Sequence, residues 1–389
     1  MTKSFFALLI AQFLSAFADN AVLFTIITIV IQSPDNPQWY VPALQSAFLI
    51  AFVLLAPWSG YVADRFAKSY VLLFANIAKA FGGVLLLSEV DPLLAYGVVG
   101  VGAAIYSPAK YGILPELVKS DNLVKANSWI EGSTILAILL GMVIGAKVAD
   151  ASTNIALSGA VSLFLLSAVI TWYLPKYRCD YVADAYPSLG SFFRQIGHIF
   201  RQPLAYFVIF SGALFWAVAA TLRVILVGWA PLVIKLNTAS DIAQLTLYLA
   251  IGIIIGSSVV SKLISLKNLS RVNFAGYAMA LSIVGLSYTD VMLNAQMILL
   301  LTGIMGGVFI VPINAALQNI GVSDIGTGHA VAIQGFFQNV AMLCALSIYS
   351  YAVAQLISPI AAMLSLGILF FVAVLALSLY HFYVIKPSL

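Results

Sequence analysis

The sequence predicts an all-α polytopic membrane protein with twelve transmembrane helices in two six-helix halves. Composition, the spacing of apolar segments and a weak internal repeat lead to this prediction. The chain has 389 residues, of which 62% are hydrophobic and 8% are charged, whereas a soluble domain carries about 25% charged residues. Its 18 basic and 14 acidic side chains are too few for the surface of a soluble enzyme or the basic face of a nucleic-acid binder.

Apolar segments long enough to cross a membrane recur along the whole chain. A helix needs about 20 apolar residues to cross the hydrocarbon core, and polar residues, proline and glycine divide the sequence into twelve such segments. These segments cover approximately residues 5–31, 42–62, 69–88, 93–109, 126–148, 155–174, 204–233, 242–264, 271–288, 292–314, 327–353 and 359–385. We therefore expect a six-helix bundle over 1–174, a cytoplasmic linker over 175–203 and a second bundle over 204–389.

Basic residues collect on one side of the predicted helices. Cytoplasmic connections carry an excess of lysine and arginine, and a cytoplasmic N-terminus puts 14 of the 18 basic residues on that side or at its boundary. The fourteen are Lys3, Arg65, Lys68, Lys110, Lys119, Lys125, Lys176, Arg178, Arg194, Arg201, Lys262, Lys267, Arg271 and Lys386. We expect both termini to be cytoplasmic.

The two halves carry a weak internal repeat. Pro108–Lys110 precedes the similar Pro312–Asn314 by 204 residues, and Ile130–Gly132 precedes Ile333–Gly335 by 203 residues. Recurrence at offsets that agree within one residue is the signature of duplication. Transporters built from parallel repeats bind their substrates near the bilayer midplane, at the interface of the repeats.

Polar side chains inside the predicted helices mark a candidate substrate path. A charged residue at a helix centre costs ~2.5–3.5 kcal/mol on insertion scales, so it needs a structural or functional reason. An offset of 204 also aligns Asp19 with Arg223. Either these groups line a polar cavity, or Asp19 pairs with Arg223 and Lys110 with Glu131 to hold the bundle. The candidate substrate-binding and transport residues are Gln12, Asp19, Asn20, Lys110, Glu131, Arg223, Asn314 and Gln334.

We expect smaller roles for two further ionisable residues. Lys79 lies within the third predicted helix, where a single lysine can snorkel or pair locally. His329 begins the eleventh helix and has no acidic neighbour in sequence. We expect His329 to be structural.

The connection after the second predicted helix, Gly60–Lys68, resembles a signature of the major facilitator superfamily, Gly-x-x-x-Asp-Arg-x-Gly-Arg-Arg. The resemblance implies that Asp64 and Arg65 are gating residues. It is partial, since Ala67 replaces a glycine and Ser69 replaces a base. The alternative interpretation is a polar tight turn that obeys the positive-inside rule.

Seven stretches carry a more specific resemblance. The most distinctive segment, Ser107–Gly112, lies within the second of them. They are residues 11–20, 102–114, 123–127, 138–141, 221–223, 303–307 and 311–314. These stretches resemble the bacterial lysophospholipid transporter (LplT) family, which belongs to the major facilitator superfamily. The resemblance covers nearly the whole chain and implies the major facilitator fold.

The resemblance also implies a function. Members move lysophospholipids, chiefly lysophosphatidylethanolamine, from the outer to the inner leaflet of the bacterial inner membrane by alternating access. A separate cytoplasmic acyltransferase/acyl-carrier-protein synthetase then reacylates them, and no cofactor or metal is implied. The family's polar residues correspond to Asp19, Asn20, Lys110, Glu131 and Arg223. Arginine or lysine can hold the phosphate of a zwitterionic head group and a carboxylate its ammonium.

Other function classes stay open or are excluded. A drug or small-solute proton antiporter of the same superfamily is the alternative, because Gly132, Gly141 and Gly145 share a glycine spacing with such antiporters. The proline that continues the antiporter signature is missing. A non-transporting scaffold for a lipid enzyme is a third class. No phosphate loop or nucleophile elbow occurs, so we predict no enzyme and no catalytic residues.

Overall fold

The computed structural model describes residues 2–32, 40–176, 188–235 and 239–385. Within these ranges the chain is helical and contains no strand. The α-helices are α1 Lys3–Gln32, α2 Tyr40–Arg65, α3 Lys68–Leu87, α4 Pro92–Gly112, α5 Leu114–Leu117, α6 Leu123–Ala151, α7 Thr153–Trp172, α8 Leu189–Ile199, α9 Pro203–Trp229, α10 Ala239–Leu263, α11 Val272–Leu286, α12 Met292–Ser323, α13 Thr327–Ala354 and α14 Pro359–Tyr380. Part of the predicted linker lies outside the described residues.

Twelve of the described helices, all except α5 and α8, are long and apolar enough to cross a membrane. This confirms the predicted number of transmembrane helices. The largest difference in bounds concerns α12, which continues to Ser323 although the predicted segment ends at Asn314. The prediction ended there because a polar residue usually marks a boundary. In the structure Asn314 is buried inside the helix, and the buried Leu317 and Ile320 extend its apolar face.

Local sequence explains where two of the helices begin. Asp91 precedes α4, and its carboxylate accepts hydrogen bonds from the backbone N–H groups of Leu93 at 3.0 Å and Leu94 at 3.2 Å. Ser358 precedes α14 and accepts from Ala361 N–H at 3.2 Å. Proline follows each cap, where its missing N–H is not needed. These caps fix the starts of two transmembrane helices.

The chain forms two compact units. Unit 1 comprises Met1–Ala126, Ser133–Gly197 and Gln318–Phe336. In it α3 packs against α4 and α7, α2 packs against α4, and α1 packs against α7. Its apolar core includes Ile26 and Phe164. The predicted bundle limits at 174 and 204 stay a prediction.

Unit 2 comprises Asn127–Gly132, His198–Leu317 and Phe337–Leu389. In it α14 packs against α9 and α11. Helices α10 and α12 lie close together at two Gly-x-x-x-Gly pairs, Gly252 with Gly256 and Gly303 with Gly307. A Cβ at any of these positions would collide with backbone atoms of the other helix. Small residues of this kind let transmembrane helices pack backbone to backbone, so these glycines fix the crossing.

Candidate functional site

A buried lysine organises the polar interior of unit 1. Lys79 projects from α3 and is 2% exposed. Its ammonium lies 2.7 Å from Asp19 Oδ2 of α1 and 3.1 Å from Ser15 Oγ. It also lies 4.7 Å from the ring centroid of Tyr106 in α4. The carboxylate and the aromatic face together compensate a charge that apolar surroundings would otherwise disfavour.

A chain of hydrogen bonds continues from this ion pair. Ser15 Oγ donates to Asn76 Oδ1 at 2.7 Å, and Asn76 Nδ2 donates to Ser167 Oγ at 2.8 Å. Ser167 Oγ in turn donates to the backbone carbonyl of Ala11 at 2.7 Å. The chain joins α1, α3 and α7 and places a donor against an acceptor at each step. It therefore fixes the position of Asp19 relative to the rest of unit 1.

The second oxygen of Asp19 differs from the first. Within the described ranges, Asp19 Oδ1 is buried and has no hydrogen-bond partner, while the side chain as a whole is 18% exposed. An ionised carboxylate can accept several hydrogen bonds. Oδ1 is consequently an acceptor suited to a donor such as an ammonium group.

Gln12 joins α1 to α6 inside unit 1. Its amide nitrogen donates to Ser133 Oγ, and its amide oxygen accepts from Thr134 Oγ1 at 2.9 Å. Gln12, Ser15 and Asp19 of α1 thus form hydrogen bonds to two helices, α6 and α3. The role of Gln12 in transport stays a prediction.

The other predicted polar residues of unit 1 have local or buried positions. Asn20 donates from Nδ2 to the carbonyl of Ala16 at 2.9 Å. The Lys110 ammonium lies 4.2 Å from the ring centroid of Tyr111. Gln334 is buried in α13. Their place in a substrate path stays a prediction.

Unit 2 brings together two residues that were predicted separately. Glu131 is buried, and its Oε1 accepts from Asn314 Nδ2 at 2.9 Å. Arg223 lies on α9 with an exposed side chain. The partners seen for Glu131 and Asp19 within their units are therefore Asn314 and Lys79. Pairing of Glu131 with Lys110, and of Asp19 with Arg223, stays a prediction.

Asp64 forms an anionic cap on α13 within unit 1. Its carboxylate accepts from the backbone N–H groups of Gly328 and His329, both at 2.8 Å, and lies 2.7 Å from His329 Nδ1. The first N–H groups of a helix lack partners inside the helix and attract negative charge. Gly326 precedes the helix with φ +90°, and a side chain there would meet the carboxylate. The cap thus requires both the acid and the glycine.

Lys68 extends this cluster. Its buried ammonium lies 2.7 Å from Glu116 Oε1 and 3.7 Å from Asp64 Oδ1. Arg65 is exposed at the C-terminal end of α2. Sequence reasoning missed Lys68 and His329 as partners of Asp64, and it missed Glu116 as a partner of Lys68. Of these contacts, only the one between Asp64 and Lys68 could have been predicted from sequence, because the two residues are four positions apart.

Comparisons with known proteins agree with this architecture. A family model described as Major Facilitator Superfamily matches residues 8–346. Curated relatives include the lysophospholipid transporter LplT of Shigella boydii serotype 4 (strain Sb227) and of Shigella sonnei (strain Ss046). A third is LplT of Escherichia coli (strain K12 / DH10B). Each is 39% identical over 379 residues, which cover 97% of this chain and 95% of the relative.

Solved structures show the same fold at low sequence identity. The outward conformation of FucP, a major facilitator transporter, matches with a TM-score of 0.77 and 14% identity, covering 97% of this chain and 98% of that chain. The human organic anion transporter MFSD10 (TETRAN) matches with a TM-score of 0.73 and 13% identity, covering 96% and 100%. These similarities bear on the fold alone.

Proposed function

Because the chain belongs to the major facilitator superfamily and, within it, to the LplT family, we propose that it transports lysophospholipids across a bacterial inner membrane. The observation that carries the proposal is the 39% identity to lysophospholipid transporters over 97% of this chain and 95% of theirs. Lysophosphatidylethanolamine is the chief substrate, and it moves from the outer to the inner leaflet. A separate cytoplasmic acyltransferase/acyl-carrier-protein synthetase then restores the second acyl chain.

The contacts of Asp19 support a role in head-group recognition. Lys79 holds one carboxylate oxygen at 2.7 Å, and the second oxygen has no partner within the described ranges. The ethanolamine ammonium donates to that second oxygen. Arg223 or Lys110 holds the phosphate, since charge-assisted hydrogen bonds to phosphate are short and strong. The remaining predicted residues, Gln12, Asn20, Glu131, Asn314 and Gln334, shape the polar path.

The Asp64 cap supports alternating access. A transporter of this kind needs contacts that form in one state and break in another. Asp64 accepts two backbone hydrogen bonds and faces His329, so α13 is held at its first turn. We assign Asp64 and Arg65 to the cytoplasmic gate, with both termini on that side. Movement of the first turn of α13 away from Asp64 opens the gate.

The test is a flux assay with purified protein in liposomes. Labelled lysophosphatidylethanolamine, diacyl phosphatidylethanolamine and a drug cation are compared with and without a proton gradient. We expect lysolipid movement to exceed movement of the other two. Asp19→Asn should reduce it about tenfold or more, because a hydrogen bond to a charged group contributes ~1.5–3 kcal/mol. Asp150→Asn, at an exposed acid of α6, is the matched control and should transport at the parental rate.

Three outcomes would contradict the proposal in whole or in part. Drug movement driven by a proton gradient, without lysolipid movement, would identify the antiporter alternative instead. Parental lysolipid flux in well-expressed Asp19→Asn protein would remove Asp19 from head-group recognition while leaving the substrate assignment intact. Absence of all flux, with the protein folded and correctly inserted, would favour the scaffold alternative.

A further inference from the structure

An apolar cavity lies at one end of unit 1, and Asp19 and Lys79 are not among its lining residues. Its volume is about 650 Å³, and four helical segments contribute its walls. Phe66 follows α2, Tyr70 and Phe74 belong to α3, Ile105 belongs to α4 and Trp172 ends α7. Almost all of the lining is apolar. Water is a poor occupant for such a site, because a bound water needs two or more polar partners.

The cavity is a groove with an exposed rim. Phe66, Phe74 and Trp172 are exposed, whereas Val71 and Ala75 beneath them are buried. Exposed apolar side chains on a membrane-spanning bundle contact lipid tails. The groove therefore has the chemistry of a site for a hydrocarbon chain, and its volume lies within the ~300–1,000 Å³ typical of ligand pockets.

A positive charge stands at the edge of the groove. The Lys176 ammonium lies 4.4 Å from the ring centroid of Trp172 and 5.0 Å from that of Tyr70. Both rings also line the groove. Stacking over aromatic faces restrains a cation that is otherwise exposed. The groove and the cation thus share two side chains and form one amphipathic feature.

The position of this feature indicates the leaflet that it faces. It lies where α2 and α7 end and α3 begins, which is the end that carries Arg65 and Lys68 and is predicted to be cytoplasmic. Lysines near the cytoplasmic surface attract anionic lipid head groups, with ~1 kcal/mol per residue. An acyl chain in the groove would bring the phosphate of its own head group to this surface.

We propose that the groove binds one acyl chain of a resident, anionic diacyl phospholipid of the cytoplasmic leaflet, whose phosphate is held by Lys176. The apolar lining supplies the affinity for the chain, and the lysine supplies the preference for a negative head group. This lipid is a structural ligand of α2, α3, α4 and α7. Its site is separate from Asp19, so the proposal does not depend on lysolipid transport.

Native mass spectrometry of the full chain tests this proposal. The protein is delipidated and titrated with dioleoyl phosphatidylglycerol or dioleoyl phosphatidylcholine, which differ in head group and share their chains. We expect one tightly retained phosphatidylglycerol and weaker retention of phosphatidylcholine. Lys176→Gln should reduce phosphatidylglycerol retention about fivefold, the ratio that corresponds to ~1 kcal/mol per lysine. Lys119→Gln, at an exposed lysine of the same unit, should leave it unchanged.

A second pair of variants tests the groove itself. Ile105→Trp fills the cavity and should lower retention of both lipids. Ile155→Trp adds the same side chain at an exposed position near the other end of α7, roughly 25 Å along the helix from Trp172, and should bind like the parent. Equal losses for Lys176→Gln and Lys119→Gln would overturn the proposal, as would parental binding by folded Ile105→Trp. Displacement of phosphatidylglycerol by equimolar lysophosphatidylethanolamine would also overturn it, because the groove would then be a substrate site.

Discussion

The ion pair between Asp19 and Lys79 leads to a prediction about stability that differs from its effect on transport. Asp19→Asn leaves the ammonium of Lys79, which is 2% exposed, without its carboxylate. Breaking a buried ion pair from one side costs ~3–5 kcal/mol. We expect the lower end, about 3 kcal/mol, because Ser15 Oγ at 3.1 Å and the Tyr106 ring at 4.7 Å still contact the ammonium.

A double variant distinguishes a structural role of Asp19 from a role in substrate recognition. Asp19→Asn combined with Lys79→Met removes both charges, and methionine keeps most of the apolar volume of lysine. Its unfolding free energy should lie within ~1 kcal/mol of the parent, since a buried ion pair can often be replaced at little cost. Lysolipid transport should nevertheless stay lost, because no carboxylate remains to accept from the ammonium of the substrate.

Thermal unfolding of the detergent-purified protein is the measurement. A domain of 150–250 residues shifts by ~2–4 °C per kcal/mol, so Asp19→Asn should lower Tm by about 6–12 °C. The double variant should regain most of this loss, and Lys119→Met serves as the exposed control. A double variant that unfolds as early as Asp19→Asn alone would refute the reasoning. A double variant with parental transport would show that Asp19 only braces the helix bundle.

Three further predictions concern the helix crossing, the gate and the topology. Gly303→Leu should destabilise the protein by more than the ~1–3 kcal/mol of ordinary overpacking, and the yield of monodisperse purified protein should fall. Gly285 has open space around it, so the control Gly285→Leu should keep the parental yield. Asp64→Asn should weaken the cap on α13 by ~1.5–3 kcal/mol. A cysteine introduced at Thr327 should then react at least about tenfold faster with maleimide than in the parent. An unchanged labelling rate would contradict the assignment of Asp64 to the gate. A reporter at Ala185 should be cytoplasmic, and its detection outside intact cells would overturn the orientation.

The fold was predictable because membrane insertion is governed by local composition. Twelve apolar segments separated by polar connections predict twelve spanning helices without knowledge of their packing. Helix ends were less predictable, because a buried polar residue and a boundary residue look alike in one dimension. Asn314 illustrates this: its amide reaches Glu131 at 2.9 Å, so it lies inside α12 instead of ending it.

The partners of the charged residues could be predicted only where they are close in sequence. Asp64 at the end of α2 and Lys68 at the start of α3 are four residues apart, but His329 is 265 residues from Asp64. The internal repeat aligns Asp19 with Arg223 and therefore suggested that these two residues pair. The partner of Asp19 observed within unit 1 is Lys79 of α3. A sequence shows that a charge lies inside a helix, but it does not show which neighbouring helix faces that charge.

The Lys79 ion pair also has a consequence for biogenesis. A lysine at the centre of a helix raises the insertion free energy by ~2.5–3.5 kcal/mol when nothing compensates it. Ribosomes synthesise α1 before α3, so Asp19 is already in the membrane when Lys79, 60 residues later, leaves the translocon. An α1 that stays beside the translocon would lower the insertion cost of α3 by supplying the partner of Lys79. We therefore expect loss of Asp19 to reduce the yield of correctly inserted protein before any substrate is encountered.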